Sequence, residues 1–471
     1  MELQNKATAL WSNFFNVKMV QIRTFHMTWF AFFSCFFAWF GIAPLMSVVR
    51  DELQLTKDQI GWAIIGSVAI TVFARFFIGW LCDRIGPRKA YTWLLLLGAF
   101  PVMGIGLSWN FESFLLFRVM IGGIGAAFVI TQYHTTVMFA PNVVGQANAT
   151  SAGWGNLGGG VTQFVMPLLF SVFVVGFGFS EAMGWRLAMV VVGVIIFLVG
   201  IAYYFLTQDA PDGNFDDLRA QGRMEEKKNV TGNYMQALKD PRVWVLFVIY
   251  GACFGIELTV NNVAALYFFD YFDLSLVTAG FVAASFGLMN IFARTLGGIF
   301  GDNFGALWGL KGRTFWLFVC ILFEGIALMI FSQMQVLFLA LPALIVFSLF
   351  TQMAEGATYS VVPFVNKKAL GAVAGVVGAG GNAGAVAAGF LFKGAMDWND
   401  AFFVIGVTVA IASVLSFFVR FSPEQEEEER ALLEIGLQEA LQLRAERANA
   451  ALAESVAVVE EYRKRHPEFQ K

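Results

Sequence analysis

Two arginines stand in stretches that are otherwise apolar. Arg75 opens the run Arg75-Phe-Phe-Ile-Gly79-Trp-Leu-Cys-Asp83-Arg84-Ile-Gly86-Pro-Arg88-Lys89. The same grammar returns as Arg294-Thr-Leu-Gly-Gly298-Ile-Phe-Gly-Asp302-Asn303-Phe-Gly305, again with a glycine four residues on and an aspartate eight residues on. On a helix, eight residues put the guanidinium ~12 Å below the charged turn. In a bilayer core about 30 Å thick that is close to the midplane. A cation there costs at least ~2.5–3.5 kcal/mol unless it meets something polar. Two of them facing each other would repel, and an anion between them cancels one charge and screens the rest. The rigid planar fork of arginine suits a flat oxyanion better than the point charge of lysine. The chemistry expected is anion capture. No nucleophile–base pair, phosphate loop or metal-ligand spacing appears, so an enzyme is not expected. Nor is a cofactor, a metal or a nucleic-acid partner.

Other polar residues could join the arginines. Asn156 lies in the glycine bed Gly153-Trp-Gly155-Asn156-Leu-Gly158-Gly159-Gly160, and Asn382 in Gly378-Ala-Gly380-Gly381-Asn382-Ala-Gly384. Glycines so dense let helices approach closely in lipid, which explains most of them but not the asparagines. Asn156, Gly160 and Gln163 share one helical face. Tyr250, Phe254 and Glu257 are spaced to share another. These rings would strip water from an anion and raise the worth of each charged contact. Glu257, Glu324 and Glu355 are intramembrane acids that could carry a proton, and Glu257 is the best placed of them. His134 could titrate near neutral pH, or be a packed structural residue.

The elements that position these residues follow from composition. With 58% hydrophobic and only 14% charged residues in 471, the chain is an integral membrane protein in a lipid bilayer. Twelve runs are long enough to span, the first at about 25–48 and the last at 400–421. Arg84, Arg88, Lys89, Lys311, Arg313, Lys367 and Lys368 fall in loops on one side, which the positive-inside rule makes cytoplasmic, together with both termini. The N-terminus lacks the features of a cleaved signal peptide. Cys35, Cys82, Cys253 and Cys320 form no C-x-x-C pair and read as small apolar residues. Arg75 and Arg294 are related by an offset of 219, Thr131-Gln132 and Thr351-Gln352 by 220, and Asn156 and Asn382 by 226. Such offsets imply a duplicated six-helix unit. The expected organisation is a bundle over residues 1–206, a cytoplasmic linker at 207–241, a second bundle over 242–421 and a cytoplasmic amphipathic tail at 422–471 that could dock a partner. Duplicated halves place a substrate site at their interface near the midplane and rock about it.

The turn G-x-x-x-D-R-x-G-x-R-K after the second span resembles the cytoplasmic loop motif of the major facilitator superfamily. Its Asp83, Arg84 and Arg88, with Asp302 in the second copy, read as a gate latch that pairs across the bundles in one conformation. Arg118-x-x-x-Gly122-Gly-Ile-Gly125 is similar to a second superfamily motif. Ala152-Gly-Trp-Gly-Asn-Leu-Gly-Gly-Gly160 and Gly378-Ala-Gly-Gly-Asn-Ala-Gly384 resemble the two signatures of the nitrate/nitrite porter family. Thr131-Gln-Tyr133 and the Tyr250 to Thr259 run look closest to its high-affinity nitrate transporters. The resemblance covers all twelve spans and excludes the tail. It implies an all-α fold of two pseudo-symmetric six-helix bundles in the cell membrane, plasma or bacterial inner. It also implies that Arg75 and Arg294 clamp nitrate or nitrite, with Asn156, Tyr250, Phe254 and Phe128 forming the site. Asn303, where the first copy has Arg84, weakens the second latch. Proton symport, nitrate/nitrite exchange and anion sensing through the tail are the readings to separate.

Overall fold

The structure is a computed structural model. It describes residues 5–427 apart from 141–142, 224–229, 367–369 and 395, together with a few isolated positions of the tail. Lys367, Lys368 and the expected amphipathic tail helix lie outside the described residues.

Among the described residues, twelve helices are long and apolar enough to cross a bilayer: α1 Val20–Leu53, α2 Lys57–Cys82, α3 Pro87–Leu107, α4 Phe111–Met138, α5 Ala147–Gly176, α6 Glu181–Leu206, α7 Pro241–Phe272, α8 Leu276–Trp308, α9 Leu310–Ser332, α10 Leu337–Phe364, α11 Ala372–Phe392 and α12 Trp398–Phe418. Their ends follow local chemistry. Thr56 and Gln59 form a reciprocal capping box that starts α2, and Asn110 with Ser113 does the same for α4. Ser180 and Ser275 cap α6 and α8. Pro241 opens α7, where its missing N–H costs nothing. The turn into α3 needs φ +86° at Gly86, a conformation only glycine adopts without strain.

Helices α1–α6 and α7–α12 form two bundles. The even-to-odd turns, α2–α3, α4–α5, α8–α9 and α10–α11, lie on the same side as the α6–α7 linker, called here the linker side. The odd-to-even turns lie opposite. Contact between bundles runs along α5 with α8 and α2 with α11. Gly160 and Gly287 meet backbone to backbone at the first seam, where a Cβ on either would collide with the other helix.

Two helices are broken at mid-depth. α4 passes through a 3₁₀ stretch at Gly123–Ala126, just before Phe128, and α8 through one at Met289–Ile291, just before Arg294. Carbonyls near such breaks must find donors inside the protein, because lipid offers none. Thr71 Oγ1 donates to Gly122 O at 2.7 Å, and Ser348 Oγ to Phe286 O at 2.6 Å. The breaks are thus satisfied, and each aims the residue that follows toward the seam.

Candidate functional site

Arg75 on α2 is buried at 7% exposure. Its Nη1 donates to the Gly378 carbonyl of α11 in the opposite bundle at 2.8 Å. The guanidinium carbon lies 5.5 Å from the Phe128 ring centroid and 5.9 Å from that of Phe254, so it rests between aromatic faces from both bundles. Its Nε and Nη2 make no hydrogen bond. Unsatisfied buried donors are rare and costly, and here they face the seam between bundles. Asn382, one turn after Gly378, donates to Val68 O at 3.4 Å and leaves its own amide oxygen unpartnered.

Arg294 on α8 is buried to the same 7%. Its Nη2 donates to the Tyr250 hydroxyl at 2.9 Å. Tyr250 stacks on Phe254 at 5.1 Å and meets Tyr359 edge-on at 5.2 Å. A chain of contact therefore runs Arg75, Phe254, Tyr250, Arg294. The five residues Arg75, Arg294, Tyr250, Phe254 and Phe128 are brought together.

The other sequence candidates are placed differently. Arg294 also has a carboxylate partner in its own bundle: Nη1 pairs with Glu355 Oε2 of α10 at 2.5 Å. Asn156 does not face an open space. Its amide donates across the bundles to Glu257 Oε2 at 3.3 Å, while Asn290 donates to Glu257 Oε1 at 2.7 Å. Glu257, the favoured proton carrier, is thus a carboxyl held by two amides. Gln163 lies toward the side opposite the linker and donates to Asn261 O at 2.8 Å, away from the arginines. His134 also leaves the site. Its Nε2–H donates to Gln208 O at 2.8 Å and its Nδ1 accepts from the Tyr203 hydroxyl at 2.6 Å, so both ring nitrogens serve packing at the linker side.

Among the described residues, the expected latch makes no pair across the bundles. The Asp83 side chain lies outside the described residues. Arg84 covers the Trp80 ring at 5.1 Å, and its carbonyl accepts from Arg219 Nη1 at 2.6 Å. Arg88 stacks on Tyr204 at 4.4 Å. Its backbone N–H donates to Asp209 Oδ1 at 2.8 Å, and Asp209 Oδ2 accepts from Phe215 N–H at 3.1 Å. Burial pushes the Asp209 carboxyl up, against the two backbone donors that pull it down. Asp302 pairs with Arg313 at 2.5 Å, inside the second bundle. The turn is pinned to α6 and the linker instead of to its counterpart.

The ion pairs that join the bundles among the described residues lie on the opposite side. Arg50 of α1 holds both oxygens of Asp270 of α7 at 2.8 Å. Lys393 pairs with Asp58 at 3.3 Å and covers the Trp62 ring at 4.2 Å, and Lys57 donates to the Met396 carbonyl. Behind them lies a cavity of about 130 Å³ lined by Arg50, Lys57, Gly61, Asp270 and Trp398. Arg118, fully buried in α4, adds a further tie by donating to Trp39 O at 3.0 Å and to Asn262 Oδ1 of α7 at 2.9 Å. This side of the seam is closed.

Sequence reasoning missed the Glu355 partnership, Asn290, Tyr359 and the Gly378 carbonyl. One signal pointed to the first. The offset of 220 that maps Thr131 onto Thr351 maps Thr135 onto Glu355, so an acid replaces a hydroxyl in the second copy.

Comparison with known proteins agrees with this arrangement. Residues 28–364 and 261–459 match the Major Facilitator Superfamily. The chain is 39% identical over 425 residues to a protein named high affinity nitrate transporter 2.5 of Arabidopsis thaliana, covering 90% of this chain and 84% of that one. It is 39% identical to high-affinity nitrate transporter 2.3 of Oryza sativa, covering 82% and 74%. It is 28% identical to the nitrate/nitrite transporter NrtP of Nostoc punctiforme, covering 85% and 93%. Among solved structures it shares a fold with an inward-facing bacterial homologue of the human lysosomal transporter Spinster, at TM-score 0.65 and 16% identity over 86% of this chain and 99% of that one. The duplicated bundles and the match across most of the chain agree, and the chain belongs to the major facilitator superfamily, in its nitrate/nitrite porter family.

Proposed function

We propose that this protein is a secondary active transporter that imports nitrate, and nitrite, by alternating access, with protons as the driving ion. The observation that carries the reading is the seating of Arg75 and Arg294, one from each bundle, on the stacked Tyr250–Phe254 pair, Arg75 over the Phe254 ring and Arg294 on the Tyr250 hydroxyl, in a chain whose relatives are named for nitrate. Nitrate is flat, singly charged and weakly hydrated for an anion. Two planar guanidinium forks and aromatic faces match it, while a dry site disfavours strongly hydrated ions such as sulfate or phosphate. Nitrate entering a cell moves against a negative interior, so accumulation needs a driving ion.

The basic residues Arg84, Arg88, Lys89, Lys311 and Arg313 support a cytoplasmic linker side, with both termini there and the protein in the cell membrane. On that orientation the Arg50–Asp270 and Lys393–Asp58 pairs close the outer face. The test is uptake into proteoliposomes. An acid-outside pH gradient is expected to drive nitrate accumulation, whereas one-for-one nitrate/nitrite exchange gives counterflow and no accumulation. Absence of both uptake and counterflow would remove the nitrate reading.

A further inference from the structure

Arg75 and Arg294 are related by the duplication but are partnered unequally. Arg75 leans on a main-chain carbonyl and keeps two nitrogens without hydrogen bonds. Arg294 is capped by Glu355, whose side chain is fully buried. A carboxylate is itself a flat oxyanion of single negative charge. Glu355 therefore occupies on Arg294 the kind of contact that a substrate oxyanion needs, and Tyr250 takes the other terminal nitrogen.

The groups facing Glu355 come from four helices. They are Arg294 of α8; Glu257, Tyr250 and Cys253 of α7; Glu324 of α9; and Tyr359 one turn on in α10 itself. Among them Arg294 is the single cation. Glu257 has its two amide donors and also lies within hydrogen-bond reach of Glu355, while Glu324 lies against Thr351. An anion that takes Arg294 strips Glu355 of its counter-charge. A buried carboxylate without one is costly, and a proton removes the cost.

We infer that Glu355 is the proton-binding group of the transport cycle, a resident counter-anion that takes up one proton as nitrate replaces it on Arg294 and releases that proton as nitrate leaves. The inference rests on the symport reading above. The proton comes from, and returns to, the aqueous side to which the site is open, and no other bond forms or breaks. Charge balances across the step. Two arginines with an ionised Glu355 carry the same net charge as two arginines with nitrate and a neutral Glu355. Loaded and unloaded carriers thus meet the same electrostatic cost in crossing. Binding of either ligand strengthens binding of the other by the same factor.

The test is nitrate binding to the purified full-length chain in nanodiscs at a series of pH values, with proton uptake read by a pH dye in weak buffer. The wild type is expected to take up one proton per nitrate, with affinity falling up to about tenfold per pH unit on the alkaline side. E355Q is expected to lose both the pH dependence and the proton uptake, and E355D to keep them with a shifted midpoint. Should E355Q not fold, the E355D midpoint decides, and an unshifted one overturns the inference. So does an E355Q protein with wild-type pH dependence, or loss of that dependence in E257Q but not in E355Q. Wild-type protein that binds nitrate without proton uptake overturns both this inference and the symport reading. Wild-type protein that binds no nitrate fails at the earlier step and removes the substrate itself.

Discussion

At the scale of single residues, the site depends on geometry that a change of cation cannot preserve. Lysine in place of Arg75 keeps the charge but loses the fork that spans Phe128, Phe254 and the Gly378 carbonyl. Hydrogen bonds to charged groups are worth roughly 1.5–3 kcal/mol. Arg75→Lys and Arg294→Lys are each expected to cut nitrate uptake about ten- to a hundredfold while the protein remains in the membrane, as uptake assays normalised to membrane protein would check. Asn156→Ala leaves Glu257 with one amide donor in place of two. That should cost about 1–3 kcal/mol, read as a loss of thermal stability in detergent. The arginines were legible in the sequence because a repeated cation is unusual in an apolar helix, whereas Tyr250, Phe254 and Phe128 were picked out by the family resemblance. The Glu355 partnership was not, since it depends on how α10 is rotated, and a helix that is apolar on most faces gives little sign of its orientation. A main-chain acceptor such as Gly378 O leaves no mark in sequence at all.

At the scale of elements, spans and turns were readable from hydropathy because a bilayer admits few alternatives. The breaks in α4 and α8 were not foreseen. The Gly122-Gly-Ile-Gly125 run signals the first, but the second shows only as Asn290 in an apolar stretch. The latch residues stand released in this conformation, one of the two states expected of them. Charge pattern alone does not say whether Arg88 faces the other bundle or the linker, and Asp209, sequestered beneath it, decided for the linker. The closed side rests on half-exposed ion pairs, each worth about 0.2–1 kcal/mol. Asp270→Asn, which removes the acceptor of Arg50, is therefore expected to raise the fraction open on that side by up to about fivefold. Reaction of a cysteine placed at Ile64, which lines the cavity on this side, with an impermeant thiol reagent would check this, the described native cysteines all being buried.

At the scale of the whole molecule, two rigid bundles that rock must part on one side as they meet on the other. A Cβ at Gly61 would lie 2.7 Å from that of Lys393 and 2.9 Å from its Cα, so the two segments must ease apart by about 1 Å to reach the Cβ separation of a disulfide. Oxidation of a Gly61→Cys/Lys393→Cys protein should hold this side shut and stop uptake, and reductant should restore it. Uptake that continues after complete cross-linking would mean that this seam does not open during transport. The seat of Arg75 on the backbone of α11 has a further consequence. A guanidinium from one half anchored to the main chain of the other makes the recognition surface a joint and not a cup. Each swing of the halves must rebuild it, so the two faces of the membrane meet differently shaped receptors, and the preference among anions is expected to differ between entry and exit.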